Sequence, residues 1–230
     1  MKPMLVLVVL GLVALLSAAL LAAHASAYSA GPEGTRMTTT LRTVPKDGPV
    51  YSRSAFDITP LGEAKIKELA KDLTEEEAKI LLRKGTEPAF CGNLLDNKKE
   101  GVYHCRLCAL PLFASSAKFT SGTGWPSFFQ PFDADHIRYY KDVSYGMTRV
   151  EIVCARCDGH LGHVFEDGPK PTGLRYCLNS ASLQFVEKGT QAPEMGRPVE
   201  TKSAYFAGGC FWGVEDRFQQ TPGVIDAVSG

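Results

Sequence analysis

The sequence predicts a mainly β protein: a small barrel or sandwich, preceded by helices and followed by an incomplete α/β segment. Three observations predict it. Turn residues recur about every eight to twelve positions from Gly92 to Gly173, with short strand-like runs between them. Two C-x-x-C pairs, Cys105/Cys108 and Cys154/Cys157, sit beside such runs. After residue 202 the pattern changes to strand, helix, strand, as at the start of an α/β unit.

A chain of 230 residues holds one or two domains. Its 25 basic and 25 acidic residues cancel. No basic stripe points to nucleic acid, so none is expected as a partner. No acidic tail points to a solvating segment.

The elements follow in chain order. Lys2 precedes a run from Met4 to Ala23 with no charged residue, and then comes the A-x-A of Ala25–Ala27. That order reads as a secretory signal peptide over 1–27, cleaved near Ala27. The run is also long enough to span a bilayer, so a retained anchor is the alternative. Either way the rest of the chain is expected to be exported, to the periplasm or cell envelope. Contact with a membrane is expected only through this segment.

Residues 28–60 are rich in Gly, Pro, Ser and Thr and read as a linker. Apolar spacing predicts a helix over 61–73 and a second over 74–85, with Thr74 as N-cap, Glu77 three residues on and Gly85 at the end. The strand-like runs are 101–105, 117–121, 144–155, 161–165, 174–179 and 182–187. Residues 189–202 read as a second linker. Beyond it, 203–208 reads as a strand, 210–221 as a helix and 223–230 as the opening of another strand.

Seven cysteines require a role: Cys91, Cys105, Cys108, Cys154, Cys157, Cys177 and Cys210. Export favours disulfides. The doubled C-x-x-C argues instead for a closed, four-sulfur zinc site built from Cys105, Cys108, Cys154 and Cys157. With every position filled, such a metal is structural. The competing reading is a pair of redox or disulfide motifs, and the metal content of purified protein separates the two.

Cys177 lies in the run "LRYCLN". Residues two apart on a strand share a face, so Arg175 and Asn179 flank it on one side of the sheet. A guanidinium favours the thiolate, and Asn can both donate and accept hydrogen bonds. The alternative is a buried structural thiol. His160 and His163 share a Gly-rich loop, and Trp125 sits in a Gly-Trp-Pro turn where its ring makes an apolar wall.

Five segments in order, "GTEPAFCG", "GVYHCRLC", "SGTGWPSF", "CARCDGHLGHVF" and "GLRYCLNSASL", resemble the methionine-R-sulfoxide reductase family. The resemblance spans about residues 70–188, within a domain set at 61–188. It implies a barrel-like fold of two antiparallel sheets. It implies reduction of methionine-R-sulfoxide, free or in oxidised proteins, by a thiol-dependent route. By motif, Cys177 is the nucleophile, Trp125 packs on the substrate methyl, and Cys105, Cys108, Cys154 and Cys157 hold structural zinc. His160, His163 and Asn179 surround the sulfoxide oxygen or the thiolate, with Asp167 and Arg175 in support. Many members carry a recycling cysteine in the Gly-x-Gly-Trp motif, where this chain has Thr123. Others place it near "GTEPAF", which makes Cys91 the resolving thiol here and implies a Cys91–Cys177 disulfide reduced by a thioredoxin-like donor. A monomer is expected.

The segment "AYFAGGCFWGVEDRF" resembles the start of a different family, the methionine-S-sulfoxide reductases. It implies a second, incomplete site with Cys210 as nucleophile and Phe211 and Trp212 as the methyl pocket, over 203–230. The remaining motifs of that family are absent, so little activity on the S epimer is expected from these residues alone. A longer parent chain would act on both epimers. Two other function classes compete: a zinc-ribbon interaction module without catalysis, and a general thiol–disulfide oxidoreductase using the C-x-x-C pairs. Replacing Cys177 separates the first from an enzyme, and metal content separates the second.

Overall fold

Residues 48–206, 208, 211–221 and 223–228 are described by the computed structural model of the chain. The N-terminal apolar run and Cys210 lie outside the described residues, as do the side chains of Phe211 and Trp212.

Helix α1 (Glu63–Leu69) continues as a 3₁₀ turn at Ala70–Asp72. Helix α2 (Glu75–Arg83) opens on a capping box. The Thr74 hydroxyl accepts from the Glu77 amide at 3.2 Å, and the Glu77 carboxylate accepts from the Thr74 amide at 2.8 Å. The acidic first turn of Glu75, Glu76 and Glu77 suits the positive end of the helix dipole. Ile80 and Leu81 are the buried face of α2, which packs on strand β7 described below. The helix stops at Lys84, whose φ of 55° is left-handed. The sequence places the stop one residue later, at Gly85; its amide bonds back to the Lys79 carbonyl at 3.1 Å.

Among the described residues nine strands follow, β1 (Gly101–Cys105), β2 (Pro111–Ala114), β3 (Lys118–Phe119), β4 (Ser127–Phe128), β5 (Ile137–Asp142), β6 (Arg149–Cys154), β7 (His160–Phe165), β8 (Arg175–Leu178) and β9 (Leu183–Glu187). They form two antiparallel sheets, ordered β2-β1-β9 and β3-β4-β8-β7-β6-β5. Four aromatic rings join them. Tyr103 and Phe113 come from the smaller sheet, Phe128 and Tyr176 from the larger. Ring centroids lie 5.0 Å apart for Tyr103–Phe128, 4.8 Å for Phe113–Phe128 and 5.5 Å for Phe113–Tyr176. Burial of each contributes about 1.5–3 kcal/mol.

The run 144–155 forms a strand only from Arg149, and β2, β4 and β5 are strands that the turn pattern hides. β2 begins at a proline on a sheet edge. β4 is two residues long behind Pro126. β5 is the other edge and carries the polar, half-exposed run IRYYKD, which gives no apolar alternation to read.

The flanking segments pack on this domain. Phe56 enters the core, and Ser52 is buried with its hydroxyl 2.8 Å from His136 Nε2. Arg156 donates to the carbonyls of Asp57, Cys108 and Met195. The Val199 amide bonds to the Ala55 carbonyl. Past residue 202 the expected strands do not form among the described residues: 203–206 and 224–228 are irregular, and Tyr205 and Phe206 are exposed. A strand needs a neighbour to pair with, and helix α3 (Phe211–Gln219) supplies none.

Candidate active site and metal centre

Two matching turns build the metal centre. Cys105 ends β1 and Cys154 ends β6. In each turn the first cysteine's carbonyl accepts from the amide four residues on (Ala109, Asp158), and its own amide donates to the carbonyl five residues on (Leu110, Gly159). Ala109 and Asp158 both take left-handed φ, 60° and 54°. All four thiols are buried. Cys105 and Cys157 sulfurs lie 3.6 Å apart, Cys108 and Cys154 sulfurs 3.5 Å, and all four fall within 4.8 Å of one another. A tetrahedral zinc with bonds of about 2.3 Å sets its sulfurs roughly 3.8 Å apart, so the donor set fits. Without a cation the thiols compete for protons: hydrogen bonds from Cys108, Cys154 and Cys157 hold Cys105 far below the usual thiol range, while burial pushes Cys108 far above it. A zinc ion resolves this by taking all four as thiolates. With four sulfurs it keeps no open position, so the zinc is structural.

Cys177 lies in the larger sheet between β4 and β7, opposite Ser127 on one side and His163 on the other. It is half-buried. Gly162 on β7 makes the approach possible, because a Cβ there would stand 2.0 Å from the Cys177 carbonyl oxygen. Arg175 is buried and holds Asp167 with two bonds, Nε to Oδ1 at 2.8 Å and Nη2 to Oδ2 at 2.9 Å. Its guanidinium lies 4.4 Å from the centre of the Phe165 ring. The sequence expects Arg175 to favour the thiolate, and it does pull the thiol down. Burial is the larger effect and leaves Cys177 above the usual thiol range.

Each histidine is oriented by a carboxylate. His160 Nδ1 lies 2.8 Å from Glu151 Oε1, whose other oxygen takes Lys84 Nζ at 2.8 Å. His163 Nε2 lies 2.8 Å from Asp142 Oδ2, which also accepts from Arg149 at 2.7 Å. A carboxylate only accepts, so these ring nitrogens carry the protons. His160 is left with Nε2 buried and without a partner among the described residues, while the His163 ring is held through Nε2, which leaves Nδ1 as its acceptor nitrogen. Burial lowers His160 and keeps it neutral. The rings meet edge to face at 5.6 Å.

Asn179 departs from the expected arrangement. Its Nδ2 donates to the Leu161 carbonyl at 3.1 Å and its Oδ1 accepts from the Glu87 amide at 3.0 Å. Both ends of the amide are engaged with backbone rather than with Cys177. Glu87 is the centre of that clamp. Its carboxylate accepts from the Ser180 and Ala181 amides, at 2.7 and 3.0 Å, and its carbonyl accepts from Trp125 Nε1 at 3.1 Å. One residue therefore fixes the indole and the end of strand β8 together. The next residues cross the Gly-Trp turn: the Phe90 amide bonds to the Gly124 carbonyl at 2.8 Å, and a Cβ on Gly124 would meet Ala89 at 2.8 Å. Cys91, exposed, follows on this loop.

Sequence reasoning missed Glu87, Asp142 and Glu151. Glu87 lies inside the "GTEPAFCG" segment, which is the one signal that pointed near it. A surface groove of about 600 Å³ on the smaller sheet, between Lys98, Val102, Ala114 and Val186, contains none of these residues.

The comparisons agree with this geometry. The model of the SelR domain matches residues 73–187, and the peptide methionine sulfoxide reductase model matches residues 202–230. The chain is 57% identical over 148 residues to the peptide methionine sulfoxide reductase MsrB of Caulobacter vibrioides, covering 64% of this chain and 93% of that protein. To the MsrB of Xylella fastidiosa strain M23 it is 58% identical over 139 residues, 60% and 90% of the two chains. To the MsrB of Escherichia coli K12 it is 57% identical over 121 residues, 53% and 88%. A fold of two antiparallel sheets, a four-cysteine metal centre and these relatives together place the chain in the SelR domain family, the MsrB peptide methionine sulfoxide reductases.

Proposed function

We propose that the chain is a peptide-methionine (R)-S-oxide reductase with Cys177 as nucleophile. The observation that carries the reading is the position of Cys177: half-buried between β4 and β7, with His163 directly across one ladder, Ser127 across the other and the Arg175 charge lowering its pKa. The sulfoxide oxygen passes to the Cys177 sulfur. Its bond to the methionine sulfur breaks, a bond to the cysteine sulfur forms, and the thiol proton ends on the transferred oxygen. Methionine is reduced by two electrons and Cys177 is oxidised to a sulfenic acid. The oxygen gains charge as the bond breaks, and His163, through its unprotonated Nδ1, takes the thiol proton and passes it to that oxygen. Trp125, fixed by Glu87, walls the substrate methyl group. The zinc supports the fold and takes part in no step.

Recycling falls to Cys91. Its thiol attacks the Cys177 sulfur, a disulfide forms, and water leaves with the sulfenic oxygen. A thioredoxin-like dithiol then reduces the Cys91–Cys177 bond. The exposure of Cys91 and the packing of its loop on the Gly124 turn support this assignment. The substrates are oxidised proteins and free methionine sulfoxide. The charge-free run from Met4 to Ala23 supports export of the domain. Cys210, within the match at 202–230, is the proposed nucleophile of a second, S-specific site that α3 alone does not complete.

The test is turnover of the two methionine sulfoxide epimers by the purified chain with a dithiol donor. Methionine should form from the R epimer, and Cys177→Ser should form none. Activity on the R epimer that survives Cys177→Ser overturns the assignment.

A further inference from the structure

The turn between β5 and β6 presents apolar side chains that the core does not take up. Val143 and Met147 are exposed, and Tyr145 at the tip is 90% exposed. The turn is tight. The Met147 amide donates to the Ser144 carbonyl at 3.1 Å, and the two central residues, Tyr145 and Gly146, have φ of 55° and 70°. A hairpin turn with positive φ at both central positions favours Asn, Asp or Gly there. A tyrosine is disfavoured at such a position by the clash of its Cβ with the backbone. Its ring is almost wholly in solvent, so packing within the fold offsets little of that cost.

This turn is fastened to the Cys177 site. Asp142 Oδ1 accepts from the Ser144 amide at 2.9 Å, while Asp142 Oδ2 holds His163 and Arg149. Side chains directly opposite each other in an antiparallel pair share a face of the sheet. Cys177 is paired with His163, His163 with Glu151, and Glu151 with Tyr140. Tyr140 therefore stands on the face that carries Cys177, three strands away and two residues before the turn begins at Asp142. Its side chain is exposed. Lys84 reaches Glu151 in the middle of this row, and its side chain is 67% exposed, so the row lies at the surface.

We propose that Tyr140 and Tyr145 form a docking subsite for the extended polypeptide that carries the methionine sulfoxide, and that the subsite takes an apolar residue about four positions from the oxidised methionine. Continuity with the reacting site argues for this occupant. A methionine sulfoxide that reaches Cys177 within a protein brings its own chain across the same face. Neighbouring strands lie about 4.8 Å apart, so Tyr140 is roughly 14 Å from Cys177, and an extended chain covers that span in about four residues. Exposed apolar groups clustered beside a site mark a binding surface, and tyrosine rings give one end an apolar body and the other a wet hydroxyl. Free methionine sulfoxide is too short to touch both Cys177 and this turn, so the subsite acts on polypeptides alone.

The inference rests on Cys177 as nucleophile, and the experiment separates the two. Tyr140→Ser, Tyr145→Asn and Cys177→Ser are compared with the unaltered chain, zinc bound, with a dithiol donor. Tyr145→Asn places a residue that the turn favours at its tip, so the fold is kept, and thermal melting checks this. Three substrates are used. One is N-acetyl-methionine-R-sulfoxide amide. The second is a peptide with methionine-R-sulfoxide at its centre and leucine four residues to either side. The third has serine in place of both leucines. Loss of an aromatic contact sets the scale: each tyrosine variant should raise KM for the leucine peptide roughly threefold to tenfold with kcat unchanged. KM for the single-residue substrate should not move. The serine peptide should show a raised KM with the unaltered chain and respond to neither variant. An unaltered KM for the leucine peptide in both variants overturns the proposal. So does an equal rise for the single-residue substrate, or an unaltered chain that treats the two peptides alike. If Cys177→Ser retains turnover, the nucleophile assignment has failed instead, and the KM comparison still decides whether the turn docks the polypeptide.

Discussion

The metal centre and the Cys177 site use the same residue type and treat it in opposite ways. Cys105, Cys108, Cys154 and Cys157 are buried, face one another and are held by two matching backbone turns. Cys177 is half-buried, with Ser127 and His163 opposite it in the two flanking ladders and Arg175 two residues before it on β8. In the first region geometry prepares thiolates for a cation and closes them off. In the second, burial holds the thiol protonated while nearby donors stand ready to stabilise the thiolate. The reactivity of a cysteine is set by what faces its sulfur.

The largest effect expected is from breaking the metal centre. Cys154→Ser removes a sulfur that ties β6 to the turn after β1. Structural zinc binding is worth about 10–16 kcal/mol in small domains, comparable with a whole domain's stability of about 5–15 kcal/mol. The variant should lose zinc and most of its tertiary structure, read by metal analysis and near-ultraviolet circular dichroism. A folded, zinc-free variant breaks the comparison. Cys177→Ser is its mirror image. It should abolish methionine formation while zinc content stays at wild type and stability changes by no more than about 1 kcal/mol.

The metal centre was legible because the spacing of two C-x-x-C turns is itself the geometry of the site. Cys177 and Arg175 were brought together by alternation along a strand, which fixes which side chains share a face, whereas His163 was read only as one of two histidines in a Gly-rich loop. The clamp through Glu87 was not, since it joins a loop residue to Asn179, which lies 92 positions away in the chain. The same holds for Asp142. It sits on an edge strand whose polar run gave no period to read, and only the closed hairpin of β5 and β6 brings it to His163. Asn179 shows the converse. Alternation placed it beside Cys177, but its amide is taken by backbone groups that no local pattern reveals.

Asp142→Asn sharpens the contrast at intermediate scale. The carboxylate fixes which nitrogen of His163 is free, and an amide can present either a donor or an acceptor to the ring. A positioned general acid contributes about 10²–10⁴-fold, so losing its orientation should lower the single-turnover rate by roughly tenfold to a hundredfold. Zinc content should not change. An unchanged rate would remove Asp142 from the account.

The smallest effect is on stability against pH. The Cys177 pKa is raised by folding, so the folded chain keeps a proton that the unfolded chain releases. Its contribution is therefore full below the ordinary thiol pKa of about 8.5 and is lost as pH rises through that value toward the folded pKa. Denaturant titrations across this window should show a decline that Cys177→Ser lacks. A parallel decline in both proteins would mean that burial does not raise this thiol.

The most direct test of the division of labour is to expose the reduced, zinc-loaded protein to one equivalent of methionine-R-sulfoxide without a reductant and map every cysteine by mass spectrometry. The account predicts a Cys91–Cys177 disulfide, or an added oxygen on Cys177 in the Cys91→Ser variant, with Cys105, Cys108, Cys154 and Cys157 unmodified and zinc retained. Oxidation at those four cysteines with release of zinc, and an intact thiol at Cys177, would contradict it.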